Sequence, residues 1–177
     1  MNPFLPWPGS KAKCSRVIIE EFPTEFGTYF EPFLGSGAIF FAMGNYNSLR
    51  RFKRARLSDI NANLINCWKA VMERPENVAK ILGHCLERNS EAFYSEMRHQ
   101  MGNPSVFLYV MRAAFSSMYR ENLKGEFNVP WRKQDFETNG KRISYDLEKI
   151  LVCSRYMLAK NVELAVASWI DAIHDVK

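Results

Sequence analysis

Short apolar segments bounded by turn residues predict two strands and a helix near the N-terminus. "GTYFEPFLG" (residues 27–35) clusters apolar side chains over the length of one strand and ends in a glycine turn, which predicts a buried strand. "AIFFAMG" (38–44) then predicts a short buried helix that ends at Gly44. "RARLSDIN" (54–61) predicts a second strand that ends at Asp59.

The central part of the chain changes to the periodicity of amphipathic helices. Two successive runs place apolar residues on one helical face: Leu64, Ile65, Trp68, Val71 and Met72, then Val78, Ile81, Leu82, Cys85 and Leu86. Pro75 separates the two runs, since proline ends a helix. "SEAFYSEMRHQM" (90–101) predicts a third helix, and "PSVFLYVMRAAFSSMY" (104–119) predicts a fourth that is more buried.

The rest of the chain contains a loop, a helix and a strand. "ENLKGEFNVPW" (121–131) breaks the helical pattern at Gly125 and Pro130, which predicts a loop or a small hairpin. "SYDLEKILVCSRYMLA" (144–159) returns to helix, and "NVELAVASW" (161–169) is the third strand candidate. The order strand, helix, strand, helical block, strand predicts an α/β fold with a mainly helical insertion between two strands of one sheet.

Composition places the chain among globular proteins. Of its 177 residues, 47% are hydrophobic and 14% are aromatic, which supports a buried core and argues against disorder. No apolar run reaches the roughly 18 residues of a membrane span. The N-terminus also lacks the residue order of a signal peptide, so we expect a cytoplasmic protein. Four cysteines lie far apart and complete no zinc spacing with the three histidines, which predicts reduced, mostly buried thiols and no metal site.

Positive charge is concentrated in two segments of the chain. "RRFKRAR" (50–56) has five cations in seven residues, and "YRENLKGEFNVPWRKQ" (119–134) alternates cations with aromatic and polar residues, within a net charge of +5. Basic surface can neutralise phosphates while aromatic and polar side chains reach bases. A solvated basic face explains the same charge equally well. Charge therefore permits nucleic-acid binding without establishing it.

A Gly35-Ser36-Gly37 turn follows the first predicted strand and precedes a helix. Glycines at this position let a ligand approach the backbone, and the helix after them offers free N–H groups. Asp59 ends the next strand, 22 residues after Gly37, where an acidic side chain can accept hydrogen bonds from ribose hydroxyls. The spacing indicates a nucleoside cofactor, and an ordinary structural bend explains the glycines equally well.

Four motifs occur in the order found in one enzyme family: "PFLPWPGSK", "YFEPFLGSGAIFF", "LSDINANLINCW" and "RENLKGEFNVPW". With weaker similarity as far as residue 169, the chain resembles the Dam-type DNA adenine methyltransferases. The resemblance implies an incomplete Rossmann-like methyltransferase sheet of about three strands with an inserted, mainly helical target-recognition domain. It also implies methyl transfer from S-adenosylmethionine to the exocyclic amine of adenine in double-stranded DNA.

The same resemblance implies two domains and a set of cofactor contacts. Residues 1–60 and 160–177 correspond to the cofactor-binding part of a methyltransferase domain, and residues 61–159 correspond to the helical DNA-recognition insertion. The matching cofactor-binding positions are Trp7, Lys11, Glu31, Pro32, Phe33, Gly35, Gly37, Asp59, Ile60, Ser168 and Trp169.

The family pattern implies a role for four of these residues. Trp7 and Lys11 correspond to positions near the methionine end of the cofactor, Asp59 to the residue that holds the ribose, and Ile60 to one that packs on the adenine ring. Simple core packing is the alternative for Trp7, and a surface charge is the alternative for Lys11.

The resemblance also implies DNA-binding positions, which are Phe115, Met118, Tyr119, Arg120, Asn122 and Lys124. Arg120 matches an arginine that contacts guanine in GATC-reading members, and an arginine fork suits the O6 and N7 acceptors of guanine. Phe115 and Met118 match side chains that touch or wedge between bases, although their apolar context is equally typical of a helix core. Family members continue after "FNVP" with an aromatic residue and glycine, where this chain has Trp131 and Arg132.

The family's catalytic Asp-Pro-Pro-Tyr motif is absent from these 177 residues, because no two of the eight prolines are adjacent. In the family this motif accepts hydrogen bonds from the target amine and stacks on the flipped base. We therefore predict no catalytic residue in this chain. The family's catalytic half also supplies strands beside the glycine-turn strand, so we expect an unpaired apolar edge at residues 29–33.

Three functions follow from this pattern. In the first, the chain is the cofactor- and DNA-binding half of a split methyltransferase. A second polypeptide then completes the enzyme as a heterodimer, or the chain self-associates through its sheet edge. In the second, the chain is a catalytically inactive, truncated family member that binds DNA or protein. In the third, it is a cofactor-free interaction module. Retention of the glycine turn together with Trp7, Lys11 and Asp59 favours the first.

Overall fold

The computed structural model describes residues 1–45, 51–133 and 147–174. Within them, three parallel strands form one sheet in the order β1-β2-β3: β1 (Thr28–Glu31), β2 (Arg54–Asp59) and β3 (Val162–Val166). The register aligns Tyr29 with Ala55, and Ala55 with Val162. All three strands lie within the segments predicted as strands. The predicted α/β class and partial, three-stranded methyltransferase-like sheet are therefore confirmed.

Helices make up much of the remaining described chain: α1 (Ser15–Glu20), α2 (Ala38–Asn45), α3 (Ala62–Glu73), α4 (Pro75–Glu87), α5 (Glu91–Met97), α6 (Pro104–Ala113), α7 (Leu147–Ala159) and α8 (Trp169–His174). The side chains of Asn61, Ser90 and Asn103 cap α3, α5 and α6, because their oxygens accept N–H groups that a helix start leaves unpaired. Pro75 and Pro104 stand in the first turn of α4 and α6, where a helix makes no use of the missing N–H.

The fourth predicted helix is shorter than expected, because α6 ends at Ala113. Ala114 is extended and pairs with Trp131 in an isolated antiparallel bridge, so the backbone leaves the helix at that point. A single 3₁₀ turn follows. The helix-core interpretation of Phe115 and Met118 is therefore wrong, since their side chains are 46% and 36% exposed.

Two short helices, α1 and α8, lie outside the sequence predictions. Ile19 is the one apolar residue of α1 that is buried. A single buried position produces no helical periodicity that the sequence could reveal. Trp169 belongs to the predicted third strand but begins α8, because the Ser168 hydroxyl accepts the N–H of Asp171 and caps a helix. β3 accordingly ends at Val166.

One face of the sheet carries the apolar core. Tyr29, Ala55 and Leu57 lie on this face and are at most 8% exposed, and α2, α3 and α7 pack against it. Trp68 of α3 is fully buried there, and its ring stacks on Phe41 with 5.1 Å between centroids. Burial of such large rings is a main source of stability. α3, which the sequence assigned to the insertion, packs directly on β2 and β3. The predicted domain division at residue 61 stays a prediction.

The opposite face of the sheet is polar and partly open. Phe30, Arg56 and Glu163 are register partners on this face, where Arg56 Nε lies 3.0 Å from Glu163 Oε2. A cleft of about 420 Å³ lies between the strands and α8. Parallel sheets are usually covered on both faces. In the part of the chain that the structure describes, β1 has a strand neighbour on one side only, as expected for an unpaired edge.

Cysteine burial agrees with the sequence prediction. The four cysteines are reduced, with Cys67, Cys85 and Cys153 buried and Cys14 exposed. Among the described residues, no group of histidine, cysteine and acidic side chains is arranged to hold a metal ion. None of the described helices combines the length and hydropathy of a membrane span. The expected cytoplasmic location stays a prediction.

Candidate functional site

The carboxyl ends of the three strands meet at one edge of the sheet. β2 and β3 end in register, with Asp59 opposite Val166, and the N–H of Ala167 donates to the Asp59 carbonyl at 3.2 Å. The turn after β1 is fixed to the same edge, since Leu34 N–H donates to the Ser58 carbonyl at 2.9 Å. Open parallel sheets bind ligands outside such carboxyl ends. The candidate edge consists of residues 31–37, 59–61 and 167–169.

Asp59 joins two segments of the candidate edge. One carboxylate oxygen accepts the N–H of Gly35 at 3.0 Å, and the other accepts the N–H of Asn61 at 3.0 Å. A carboxylate has about four lone-pair sites, so both oxygens retain capacity for a further donor such as a ligand hydroxyl. Asp59 therefore fixes the glycine turn to the start of α3. Its ribose-binding role stays a prediction.

The two glycines of the turn are required by tryptophans packed against them. Gly35 and Gly37 have φ angles of 48° and 65°, in the left-handed region that favours glycine. A Cβ on Gly35 would lie 2.8 Å from Cδ1 of Trp7, and a Cβ on Gly37 would lie 2.3 Å from Cη2 of Trp68. Trp68 also donates from Nε1 to the Gly35 carbonyl at 3.2 Å. These glycines serve internal packing, so alone they indicate no ligand.

The N-terminal segment lies against the glycine turn and is tied to two other parts of the fold. Ser10 Oγ lies 2.9 Å from Ser36 Oγ. Arg112 of α6 donates from Nη2 to the Phe4 carbonyl at 2.6 Å. Trp7, between these two points, is partly buried against the core. Trp7 therefore packs against the core and also lies beside the glycine turn.

Glu31 ends β1 as a largely enclosed acid. The Tyr29 hydroxyl donates to Glu31 Oε2 at 3.1 Å, and the Phe40 N–H also donates to this carboxylate. Burial outweighs both hydrogen bonds and raises the pKa of Glu31 to about 8. Burial likewise raises the pKa of Tyr29 above its ordinary value. The candidate edge thus contains a carboxyl group that titrates near neutral pH, followed by the half-buried Pro32.

Large apolar side chains project into solvent from the candidate edge. Phe33 is 71% exposed, Ile60 is 77% exposed and Trp169 is 49% exposed. Lys11 of the N-terminal segment is exposed as well. Ser168 instead uses its hydroxyl within the chain, as the cap of α8. An edge with a carboxylate and exposed apolar side chains can hold a ligand that combines hydroxyl groups with a flat ring.

Tyr119 connects the predicted DNA-binding residues to the candidate edge. Its ring lies 5.1 Å from that of Trp7, with 33° between the planes. Its hydroxyl donates to Glu121 and also hydrogen-bonds with the side chains of Asn61 and Asn63. Burial and then the Glu121 contact raise the pKa of Tyr119 to about 12. The structure therefore places Tyr119 beside the candidate edge, in contact with Asn61.

Arg120 and Asn122 shape the recognition segment, by which we mean residues 115–133. Arg120 is exposed, and it donates from Nε to Asn128 Oδ1 at 2.8 Å and from Nη2 to the Asn128 carbonyl at 3.4 Å. The side-chain oxygen of Asn122 accepts the N–H groups of Lys124 and Glu126, which closes a tight turn. The predicted small hairpin is present, and the Lys124 side chain is exposed at its tip.

The basic run at 50–56 belongs to the sheet and lies outside the recognition segment. Its described residues lead into β2 and form the first half of that strand. Arg56 pairs with Glu163 across the open face of the sheet. Arg50 lies outside the described residues. This run therefore contributes no residue to the recognition segment, and its described part is consistent with the solvated basic face.

Comparison with known sequences identifies one matching family. The family model described as D12 class N6 adenine-specific DNA methyltransferase matches residues 7–156. The matched range contains the glycine turn, Asp59 and the complete recognition segment.

Individual relatives are similar at modest identity. A type II methyltransferase of Lactococcus lactis subsp. cremoris, M1.LlaDCHI, is 26% identical, in an alignment that covers 100% of this chain and 62% of that protein. A DNA adenine methylase of Haemophilus influenzae is 33% identical over 73% of this chain and 46% of the relative. The type II methyltransferase M.MjaIII of Methanocaldococcus jannaschii is 29% identical over 74% of this chain and 52% of the relative. The chain thus spans about half the length of the curated relatives it matches.

Proposed function

The chain belongs to the D12 class N6 adenine-specific DNA methyltransferase family, and we propose that it is the cofactor- and DNA-binding half of an enzyme that methylates the exocyclic amine of adenine in DNA. The candidate edge would bind S-adenosylmethionine, and the recognition segment would bind duplex DNA. The observation that carries this proposal is the contact of Trp7 with both Gly35 and Tyr119. One side chain thereby lies between the two binding surfaces, which methyl transfer requires to be adjacent.

The side chains of the candidate edge suit S-adenosylmethionine. Asp59 has acceptor capacity left for the ribose hydroxyls, and the exposed Ile60, Phe33 and Trp169 offer apolar surface for the adenine ring. Lys11 is an expected contact near the methionine end. The cofactor, when bound, supplies an activated methyl group, and this chain's residues supply its binding and orientation.

Arg120 suits recognition of a guanine close to the target adenine. Asn128 holds two of its nitrogens, and the guanidinium has five donors in total, so donors remain for the O6 and N7 atoms of guanine. An arginine that is held in place before binding loses less conformational entropy when it binds. We propose a target that contains guanine, and GATC is the first sequence to test.

Methyl transfer requires residues that these 177 do not contain, since the Asp-Pro-Pro-Tyr motif is absent from them. We propose that a second polypeptide contributes this motif, on a strand beside β1. In support, β1 has no strand neighbour on its outer side within the described sheet. Pairing there would cover an edge that otherwise favours self-association.

The proposed cofactor role is tested by measuring two affinities of the Asp59→Ala variant. The substitution removes the acceptor of the Gly35 and Asn61 N–H groups together with the expected ribose contact. We expect S-adenosylmethionine binding, measured by calorimetry, to weaken by roughly 10- to 100-fold. Duplex affinity, measured by fluorescence anisotropy, should weaken much less.

Glu163→Gln provides a matched control, because it removes a carboxylate from the open face of the sheet, outside the candidate edge. This variant should bind S-adenosylmethionine as the wild type does. Equal losses of cofactor and DNA affinity in Asp59→Ala would contradict the ribose role. A wild-type chain that binds neither ligand would contradict the proposed function and favour the interaction module.

A further inference from the structure

A strained turn lies between α6 and the hairpin of the recognition segment. Ser116 and Ser117 both have a φ angle of 50°, in the left-handed region that residues other than glycine rarely adopt. Two such residues in succession persist only where neighbouring contacts fix them. The exposed Phe115 and Met118 flank this turn, so its geometry determines where their side chains lie.

Arg132 fixes this turn from the far side of the hairpin. Its backbone N–H donates to the Ala113 carbonyl at 2.9 Å, at the end of α6. Its guanidinium donates from Nε to the Ala114 carbonyl at 3.3 Å and from Nη2 to Ser117 Oγ at 2.8 Å. One side chain therefore connects Ala114, the residue that follows α6, to Ser117 of the strained turn.

The position of Arg132 is the one at which the resemblance leads us to expect glycine. A glycine has no side chain, so it could not make either guanidinium contact. The backbone bridge between Ala114 and Trp131 needs no side chain and would remain. The contacts to the turn are thus a property of this chain's own residue at 132.

We propose that Arg132 is a positioning residue for DNA recognition, which holds the Ser116-Ser117 turn in its binding conformation before DNA arrives. This proposal rests on the proposed DNA-binding function. A direct contact between the same guanidinium and a DNA phosphate is the competing role. The two roles differ chemically, because lysine retains the charge for a phosphate but cannot reproduce a planar fork that spans two acceptors.

The test compares Arg132→Ala and Arg132→Lys with two readouts. Hydrogen exchange of the Ser117 and Met118 amides reports the turn in the free protein, where these amides donate to the Ala114 and Phe115 carbonyls. Duplex affinity, measured over a range of salt concentrations, reports recognition. We expect both variants to exchange these amides about tenfold faster and to bind the duplex about tenfold more weakly. Arg132→Lys should keep the salt dependence of the wild type.

Two further variants separate positioning from charge. Lys133→Ala removes the neighbouring cation and should leave exchange of the turn amides unchanged. Ser116→Gly and Ser117→Gly, added to Arg132→Ala, should recover part of the lost duplex affinity, because glycine adopts left-handed angles without strain. No recovery in that triple variant would contradict the proposal.

Two outcomes would overturn the positioning role directly. Wild-type exchange in Arg132→Ala would show that the guanidinium does not hold the turn. Wild-type affinity in Arg132→Lys would show that charge alone matters. Failure of the proposed function is distinguishable from both, since a wild-type chain that binds no duplex would still report the state of the turn by hydrogen exchange.

Discussion

Gly37 and Gly9 have similar backbone angles but different surroundings. Their φ angles are 65° and 71°, yet a Cβ on Gly37 would lie 2.3 Å from Trp68, whereas a Cβ on Gly9 would meet no atom within 4 Å. We expect Gly37→Ala to lower the free energy of unfolding by about 3 kcal/mol, from overpacking and backbone strain together. Gly9→Ala should lower it by about 1 kcal/mol, from backbone strain alone. Urea denaturation measures both, and equal losses would contradict the packing role of Gly37.

Glu31 should make the stability of the protein depend on pH. Burial raises the pKa of its carboxyl from 4.5 to about 8, so the folded state binds this proton more tightly than the unfolded state. The resulting stabilisation is complete below pH 4.5 and is lost as the pH rises to about 8. We expect the wild type to lose on the order of 4 kcal/mol across this window relative to Glu31→Gln. Urea denaturation at several pH values measures it, and parallel profiles for the two proteins would contradict the raised pKa.

Individual residues were predictable where their signal lies within one short motif. Gly35 and Gly37 stand together in a turn, and the spacing to Asp59 is a local feature of the sequence. Trp68 appeared only as part of a helical face, because its hydrogen bond to Gly35 spans 33 residues. The contact between Arg132 and Ser117 spans 15 residues and likewise leaves no periodic trace.

At the scale of elements, periodic segments were predictable and endings set by distant contacts were not. The three strands and the helices α3, α4 and α7 follow from alternation or helical spacing. The end of α6 depends on the bridge between Ala114 and Trp131, which apolar periodicity through residue 119 conceals. The helix α8 begins at a polar cap inside a segment whose composition favours a strand.

The contact between Tyr119 and Trp7 predicts that the recognition segment and the candidate edge affect each other. Tyr119→Ala removes a ring 5.1 Å from that of Trp7. Because an aromatic pair contributes about 0.5–1.5 kcal/mol, we expect S-adenosylmethionine binding to weaken by roughly two- to tenfold, together with a loss of duplex affinity. Tyr119→Phe keeps the ring and should weaken cofactor binding less.

Phe115→Ala is the matched control for Tyr119→Ala. It removes an exposed aromatic ring of the same recognition segment. This variant should lower duplex affinity and leave S-adenosylmethionine affinity unchanged. If Tyr119→Ala, like Phe115→Ala, changed duplex affinity alone, Tyr119 would belong only to the DNA surface. The predicted effect of the recognition segment on the candidate edge would then be contradicted.

At the scale of the whole molecule, the two faces of the sheet differ in how they are covered. Its core face is closed by helices, its other face includes an open cleft, and β1 is an edge strand within the described residues. The sequence predicted about three strands and their positions along the chain. It did not predict which face the helices cover, because that depends on connections between segments far apart in the chain.

The central claim is that this chain binds cofactor and DNA but transfers a methyl group only with an Asp-Pro-Pro-Tyr half on another polypeptide. The direct measurement is transfer of radiolabelled methyl from S-adenosylmethionine to a GATC-containing duplex. It is made with the purified 177-residue chain alone, and then with a separately expressed polypeptide that carries the Asp-Pro-Pro-Tyr half of a family member. We predict adenine methylation by the mixture only, and its loss when the chain carries Asp59→Ala. Methylation by the chain alone would contradict the claim, and so would a mixture in which both ligands bind but no methyl group is transferred.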